Sequence, residues 1–489
     1  MTRNHKRRAR PVRVGGGRQA RAKEMAMARR RGPASGSPTS MFAIAAVAAF
    51  SLTSMFVVSC GTKEPARAPA EAPAAKRPSP ARTAQPAAPA PAVSEAAPRP
   101  KRNLDLDDET PVEESELRVA IPVAGGDVDP SAIRLAAFYT STRMGPAYVR
   151  VAAQSMKKAG FNTVVANESF TKAAVDAFQS QGIGVITYGG KLISHPGVVG
   201  GLVGDGHLPG KRNGHAGVVS QYRALSAQTQ KPLIACLPGE DMGLFGPTDP
   251  RKVWDELKPA VRCFRWYGIS RSHYGILHKQ SPEGRLAMPS VLSVATRSGE
   301  SPYWAVLPAF GKTDHEAEHS NPTPAQITCM MHMALAYRAK GLLFWGLQNT
   351  GGWRCLVDEK TLAPSDNKLA AIAEVSKLIG AHGKLLASLE HGGLDIRCPN
   401  PVVVAVPCQS EGKLHVYAVN KDTRNSVTTK LMLWQERWNW SSARDVFSGT
   451  ELTVSPRNKE GYLTASLALR PGEGKLIATD ASGASKKRR

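Results

Sequence analysis

From Ile133 to Leu347, short β-rich runs alternate with amphipathic helical patterns, and this alternation limits the fold more than any other feature of the 489 residues. Parallel neighbours need a crossover of a dozen or more residues between them, and the intervening helices supply it. The runs Ile133–Thr140, Phe161–Ala166, Ile183–Tyr188, Val198–Val203, Leu233–Leu237, Cys263–Tyr267, Tyr303–Phe310 and Gly341–Leu347 read as eight strands. Helical patterns cover Ala147–Ala159, Phe170–Gln181, Val218–Gln228, Pro250–Val261 and Pro324–Ala339, whereas Gly268–Ser293 shows no clean helix. Eight strand–helix units in this length fit a (β/α)8 TIM barrel, whose functional loops follow the strands. An open doubly wound sheet is the runner-up, but neither a GxGxxG turn nor a Walker lysine motif is present. No repeat of 20–50 residues points to a solenoid or propeller.

Beyond Gly393 the texture changes to β-branched runs between turn signals: Val402–Val406, Lys413–Val419, Val427–Leu433, Leu452–Val454, Leu463–Leu469 and Lys475–Thr479. These read as a small antiparallel β-sandwich. The expected organisation is therefore a leader over 1–60, a disordered tether over 61–116, a barrel over 117–392, a sandwich over 393–480 and a basic tail over 481–489.

The formal net charge of +24 invites a nucleic-acid reading, and its location refuses one. Residues 1–40 carry twelve Lys/Arg against one acid, Glu24, and the last four residues are all basic. The stretch 61–103 holds eight basic and three acidic residues. About four positive charges are left for everything else, so the basicity belongs to tails and linkers, with no specific nucleic-acid groove. That same stretch has 14 Ala and 10 Pro, too little apolar surface to offset the entropy of ordering it.

Met41–Val58 is an uncharged, mostly apolar run behind Arg29, Arg30 and Arg31, the layout of an export signal. It closes on Val57-Val58-Ser59-Cys60-Gly61, which resembles the bacterial lipoprotein box. The resemblance implies lipidation of Cys60 and anchoring to a membrane of the bacterial cell envelope, at the outer membrane or facing the periplasm. A plain transmembrane anchor or an ordinary cleaved signal is the alternative. An exported compartment permits disulfides among Cys236, Cys263, Cys329, Cys355, Cys398 and Cys408. Cys398 with Cys408 would make a short hairpin bridge; buried free thiols are the other reading. No CxxC spacing suggests structural zinc.

Three stretches resemble the glycoside hydrolases of the (β/α)8 superfamily. Pro324–Tyr337 followed by Lys340-Gly341-Leu342-Leu343-Phe344-Trp345-Gly346 is similar to their seventh helix and eighth strand. His195–Leu202 resembles the approach to their fourth strand, and Ala443–Leu452 with Leu469–Ile477 resembles their terminal sandwich. The resemblance spans roughly 131–480 and implies a carbohydrate substrate or ligand, with no cofactor and no metal. It implies an acid/base glutamate after strand four, often in Asp-Glu-Pro; here Asp205 matches the aspartate and Gly206 stands at the glutamate. Either Asp205 transfers the proton or the acid is lost.

Glycoside hydrolysis needs two carboxyls flanking the bond. The eligible loop acids are Glu168, Asp205, Glu240, Asp241, Asp314, Glu316 and Glu318. Asp205 with Glu316 or Glu318 is the leading pair, and Glu240 the next candidate. Tyr139, Tyr188, Trp266, Trp304, Trp345 and Trp353 are candidate sugar platforms, since aromatic faces stack on the apolar faces of sugar rings; Tyr267 lies among them. His315-Glu316-Ala317-Glu318-His319 fits H-E-x-x-H, but prolines at 322 and 324 leave no long helix to hold both histidines. A catalytic zinc site is set aside on that ground. Two classes remain: a tethered glycosidase-like enzyme, or a non-catalytic glycan-binding or envelope protein on the same barrel.

Overall fold

The computed structural model describes residues 133–204, 214–238, 250–267, 287–297, 301–312, 320–392, 396–434, 442–455 and 461–482. The export signal, Cys60, the tether, residues 483–489 of the basic tail, and the acids Asp205, Glu240, Asp241, Asp314, Glu316 and Glu318 lie outside them.

Eight parallel strands close on themselves in chain order: β1 (Arg134–Phe138), β2 (Thr163–Ala166), β3 (Gly184–Tyr188), β4 (Val198–Val203), β5 (Leu233–Pro238), β6 (Val261–Arg265), β7 (Tyr303–Pro308) and β8 (Gly341–Trp345). Closure is made where Arg134–Ala137 of β1 pairs with Gly341–Phe344 of β8. The helices are α1 (Pro146–Lys158), α2 (Lys172–Ser180), α3 (Gly214–Ser226), α4 (Pro250–Leu257), α5 (Met288–Arg297), α6 (Pro324–Ala336) and α7 (Lys368–Ser388). Between β3 and β4 a turn-rich stretch, 189–197, takes the place of a helix. The expected TIM barrel is the observed one.

Period-two alternation sorts the strand residues between two cores. Ala136, Val165, Ile186, Leu202, Ile234, Cys263, Trp304 and Leu343 fill the barrel interior. Leu135, Ala137, Val164, Val185, Phe264 and Leu342 face outward into the layer beneath the helices.

Three boundaries differ from the sequence reading. Helix α4 stops at Leu257, because Lys258 takes φ +45° and Pro259 follows; Val261 and Arg262 then belong to β6. Met288–Arg297 is a helix after all, burying Met288, Val291, Leu292 and Ala295 at helical spacing. Helix α7, unassigned in the sequence, completes the eighth unit with Leu369, Ile372, Val375 and Ile379 inward.

The C-terminal part has two antiparallel sheets. One contains β10 (Ile396–Arg397), β13 (Val427–Trp434), β17 (Tyr462–Leu469) and β16 (Val454–Ser455). The other orders β15 (Glu451–Leu452), β14 (Ala443–Asp445), β18 (Gly474–Ser482), β12 (Lys413–Asn420), β11 (Val403–Ser410) and β9 (Glu390–His391). Leu414, Val416 and Ala418 of β12 pack with Leu431, Leu433, Leu463 and Leu467 of the other sheet. On the opposite face of β12, Tyr417 and Val419 join the core shared with α6. There Tyr417 Oη lies 2.9 Å from His332 Nδ1, and burial pushes the imidazole down to about 4, so it is neutral at pH 7. Gly474 is required opposite, since a Cβ there would come within 2.5 Å of the His332 ring.

The Cys398–Cys408 bridge does not form. Cys398 Sγ lies 3.4 Å from Thr429 Oγ1, whereas Cys408 Sγ lies 3.8 Å from the Ala336 carbonyl on the α6 side. All six described cysteines are free. Among the described residues no helix is long and apolar enough to cross a membrane.

Candidate functional site

The C-terminal ends of β6, β7 and β8 build an aromatic row at the barrel mouth. Inward-facing frames carry it: Val261, Cys263 and Tyr267 belong to the interior core, and Trp304, Val306 and Phe310 continue the same alternation. Phe310 is the hub, with Tyr267 at 4.9 Å, Trp345 at 4.5 Å and Trp353 at 5.3 Å between ring centroids, all edge-on. Edge-to-face contacts of this kind stiffen a cluster by about 0.5–1.5 kcal/mol per pair beyond burial. Tyr267 and Phe310 are buried, whereas Trp345 and Trp353 are half-buried and keep surface for a ligand.

Two cations flank the row. The Arg265 guanidinium lies 4.7 Å from the Tyr267 ring centroid, and Lys312 Nζ lies 5.1 Å from that of Trp353. The loops after β7 and β8 are stitched together, since Gly311 N donates to the Arg354 carbonyl at 3.0 Å and Arg354 N to the Gly311 carbonyl at 2.9 Å. On the neighbouring β1 side, Gln348 Oε1 accepts from Thr140 N at 2.9 Å and Ser141 N at 3.3 Å, tying the β8 loop to the β1 loop. Ser141 Oγ donates to Glu359 Oε1 at 3.3 Å, and Asn167 Nδ2 donates to the Ser141 carbonyl at 2.8 Å. The Tyr148 hydroxyl donates to the Glu359 carbonyl at 2.6 Å.

The candidate residues separate by frame. Tyr188, at the end of β3, packs half-buried against the interior core with Trp345 and Trp353. Tyr139 and Trp266 stand one residue out of the inward frame. Both are within 1% of full burial, Tyr139 edge-on to Phe170 at 5.0 Å and Trp266 in the helix-side core. Trp304 does face inward, but near the start of β7, 1% exposed and packed over Gly341. These three rings therefore have no face open to a ligand. Glu168 is exposed beside β2, and its carbonyl accepts from Lys191 Nζ. The candidate acids Asp205, Glu240, Glu316 and Glu318 lie outside the described residues. Phe310, Arg265 and Lys312 were not singled out from sequence; continuing the β6 and β7 alternation two residues past each strand would have found Phe310.

Chemically, the described part of the mouth can stack a ring against Trp345 and Trp353 and offer cations beside it. Among the described residues no group of His, Cys, Asp and Glu could hold a metal ion.

No family model matches the chain, and no curated protein does. Solved structures do align with it. AmyP in complex with maltose aligns at TM-score 0.48 and 9% identity, over 76% of this chain and all of that one. The glycoside hydrolase family 30 subfamily 8 xylanase Xyn30A from Clostridium acetobutylicum aligns at TM-score 0.39 and 12% identity, over 72% and 96%. An alpha-L-fucosidase GH29 from Bacteroides thetaiotaomicron aligns at TM-score 0.38 and 12% identity, over 68% and 81%. Likenesses of this order add nothing to the barrel, which the strand pairing establishes by itself.

Proposed function

We propose that this chain is a carbohydrate-active barrel protein that holds a saccharide at the C-terminal mouth, on Trp345 and Trp353. The observation that carries this reading is the aromatic row, whose two half-buried indoles rest on a buried Phe310. An apolar surface beside charged donors suits the two-sided chemistry of a sugar ring.

We assign hydrolysis to paired carboxyls from the loops after β4 and before α6. Asp205 would protonate the glycosidic oxygen as the bond to the anomeric carbon breaks. Glu316 or Glu318 would act as nucleophile or would take a proton from the attacking water. Glu240 is the substitute partner. The non-catalytic glycan-binding reading keeps one specific support: Gly206 stands where the glycoside hydrolases this chain resembles carry the acid/base glutamate.

The purified full chain, incubated with neutral and acidic polysaccharides, is expected to release reducing ends, and Asp205→Ala to abolish the release. Unchanged release by Asp205→Ala would refute the assignment of Asp205. Binding without release would leave the glycan-binding protein. The anchor is a separate proposal resting on the Cys60 box: the wild-type chain is expected to partition into a detergent phase after expression in a bacterium. Cys60→Ser should move it to the aqueous phase, and equal partitioning of both would remove the lipid.

A further inference from the structure

Lys368, the first residue of α7, is 0% exposed, an uncommon place for a lysine. Its Nζ donates to the Ala309 carbonyl at 2.9 Å, to Asn321 Oδ1 at 2.7 Å and to the Arg354 carbonyl at 3.4 Å. An ammonium has three donors and no acceptor, so three acceptors from three segments match it. The segments are the β7 loop, the approach to α6, and the β8 loop. They converge closely, since a Cβ on Gly311 would come within 2.1 Å of the Asn321 backbone.

The sequence positions of those carbonyls give the lysine its meaning. Ala309 immediately precedes Phe310, and Arg354 immediately follows Trp353. The ammonium therefore grips the peptide that carries Phe310 N and, one residue beyond Trp353, the Arg354 carbonyl, in the two loops whose rings meet at 5.3 Å. We propose that Lys368 is the positioning residue of the aromatic row, fixing Phe310 and Trp353 through the carbonyls of Ala309 and Arg354. The consequence for saccharide affinity rests on the function proposed above; the placement of the rings does not.

Three titratable or charged groups surround the ammonium. The buried Cys355 thiol is pushed up to about 12 and stays neutral. Asp366, paired with Arg354 at 3.2 Å and accepting from Asn321 Nδ2 at 2.8 Å, favours the ammonium, while Arg354 opposes it. Burial outweighs them and brings Lys368 down to about 8. Below that pH the ammonium supplies a donor to every acceptor. Above it the neutral amine keeps two N–H groups for three acceptors, and the longest contact, to Arg354, is the one released. The Arg354 carbonyl then keeps only the Gly311 N–H at 3.0 Å, so the Trp353 side of the row loses one of its two ties as pH rises through about 8.

The test is fluorine NMR on the full chain labelled with fluorotryptophan, with the Trp353 signal identified by its loss in Trp353→Phe. Between about pH 6.5 and about pH 9.5, a range bracketing the lowered lysine, the Trp353 signal should titrate with a midpoint near 8. Lys368→Met should give a displaced signal that no longer titrates. Should that variant fail to fold, Asp366→Asn reads the same link. Asp366 is exposed and sits at φ +54°, where asparagine is tolerated, and removing its carboxylate should move the midpoint to lower pH. A Trp353 signal invariant over the range, or a titration unchanged in every variant that folds, would overturn the proposal. No saccharide enters the assay, so its failure leaves the reading of the mouth standing, and the converse holds.

Discussion

Gly341→Val is expected to destabilise the chain by on the order of 3 kcal/mol or more, enough to lower the unfolding midpoint by roughly 10 °C. Gly341 opens β8 and pairs with Trp304 of β7 and Arg134 of β1, so its backbone is fixed on both sides at the seam that closes the barrel. A Cβ alone would come within 2.4 Å of the Trp304 ring, and valine adds two methyls to that collision. The indole has nowhere to retreat, being 1% exposed among Cys263, Val306 and Leu343. Overpacking in a close-packed interior is relieved by moving backbone, and here the backbone belongs to a closed sheet. The discriminating measurement is a double-mutant cycle by thermal or denaturant unfolding. Against Trp304→Ala the same valine should cost far less, because it enters the space the indole vacated. An equal cost in both backgrounds would mean that Trp304 does not dictate the glycine.

The barrel was legible because hydrophobic runs of strand length recur with helical patterns between them, and burial on both faces leaves that signal continuous. What the runs obscured was frame. Tyr139 and Trp266 lie at strand ends, but counting by two from Ala136 and Cys263 puts them on the helix side. Trp304 is in frame yet near the wrong end of its strand. Depth along the barrel axis follows from register between neighbours, which no single strand encodes. Met288–Arg297 escaped notice because β-branched Val291, Val294 and Thr296 weaken its helical pattern, and only Val291 of the three lies on the buried stripe. The Cys398–Cys408 expectation failed for a related reason. Ten residues of separation suggested a hairpin, whereas Cys398 neighbours β13 of one sheet and Cys408 lies in β11 of the other. Lys368 gave no sequence signal, since only the folded loops bring Ala309, Asn321 and Arg354 to one nitrogen.

The aromatic row makes the second large prediction. Trp345 and Trp353 both pack against Phe310, and removing both should do more than removing either. Losing both faces is expected to weaken saccharide binding at least tenfold, about 1.4 kcal/mol. Because both side chains are only half-buried, the double variant should keep most of its stability, and the wild-type unfolding midpoint serves as the control for folding.

The most direct measurement of the central claim is a titration of the full chain with oligosaccharides chosen from a glycan array, read by tryptophan fluorescence and calorimetry, with Trp345→Ala/Trp353→Ala alongside. The account predicts saturable binding by the wild-type chain to at least one class of oligosaccharide. It also predicts a loss of at least about tenfold in a double variant that still unfolds cooperatively. Binding that survives the loss of both indoles, or a folded wild-type chain that binds no saccharide, would contradict it.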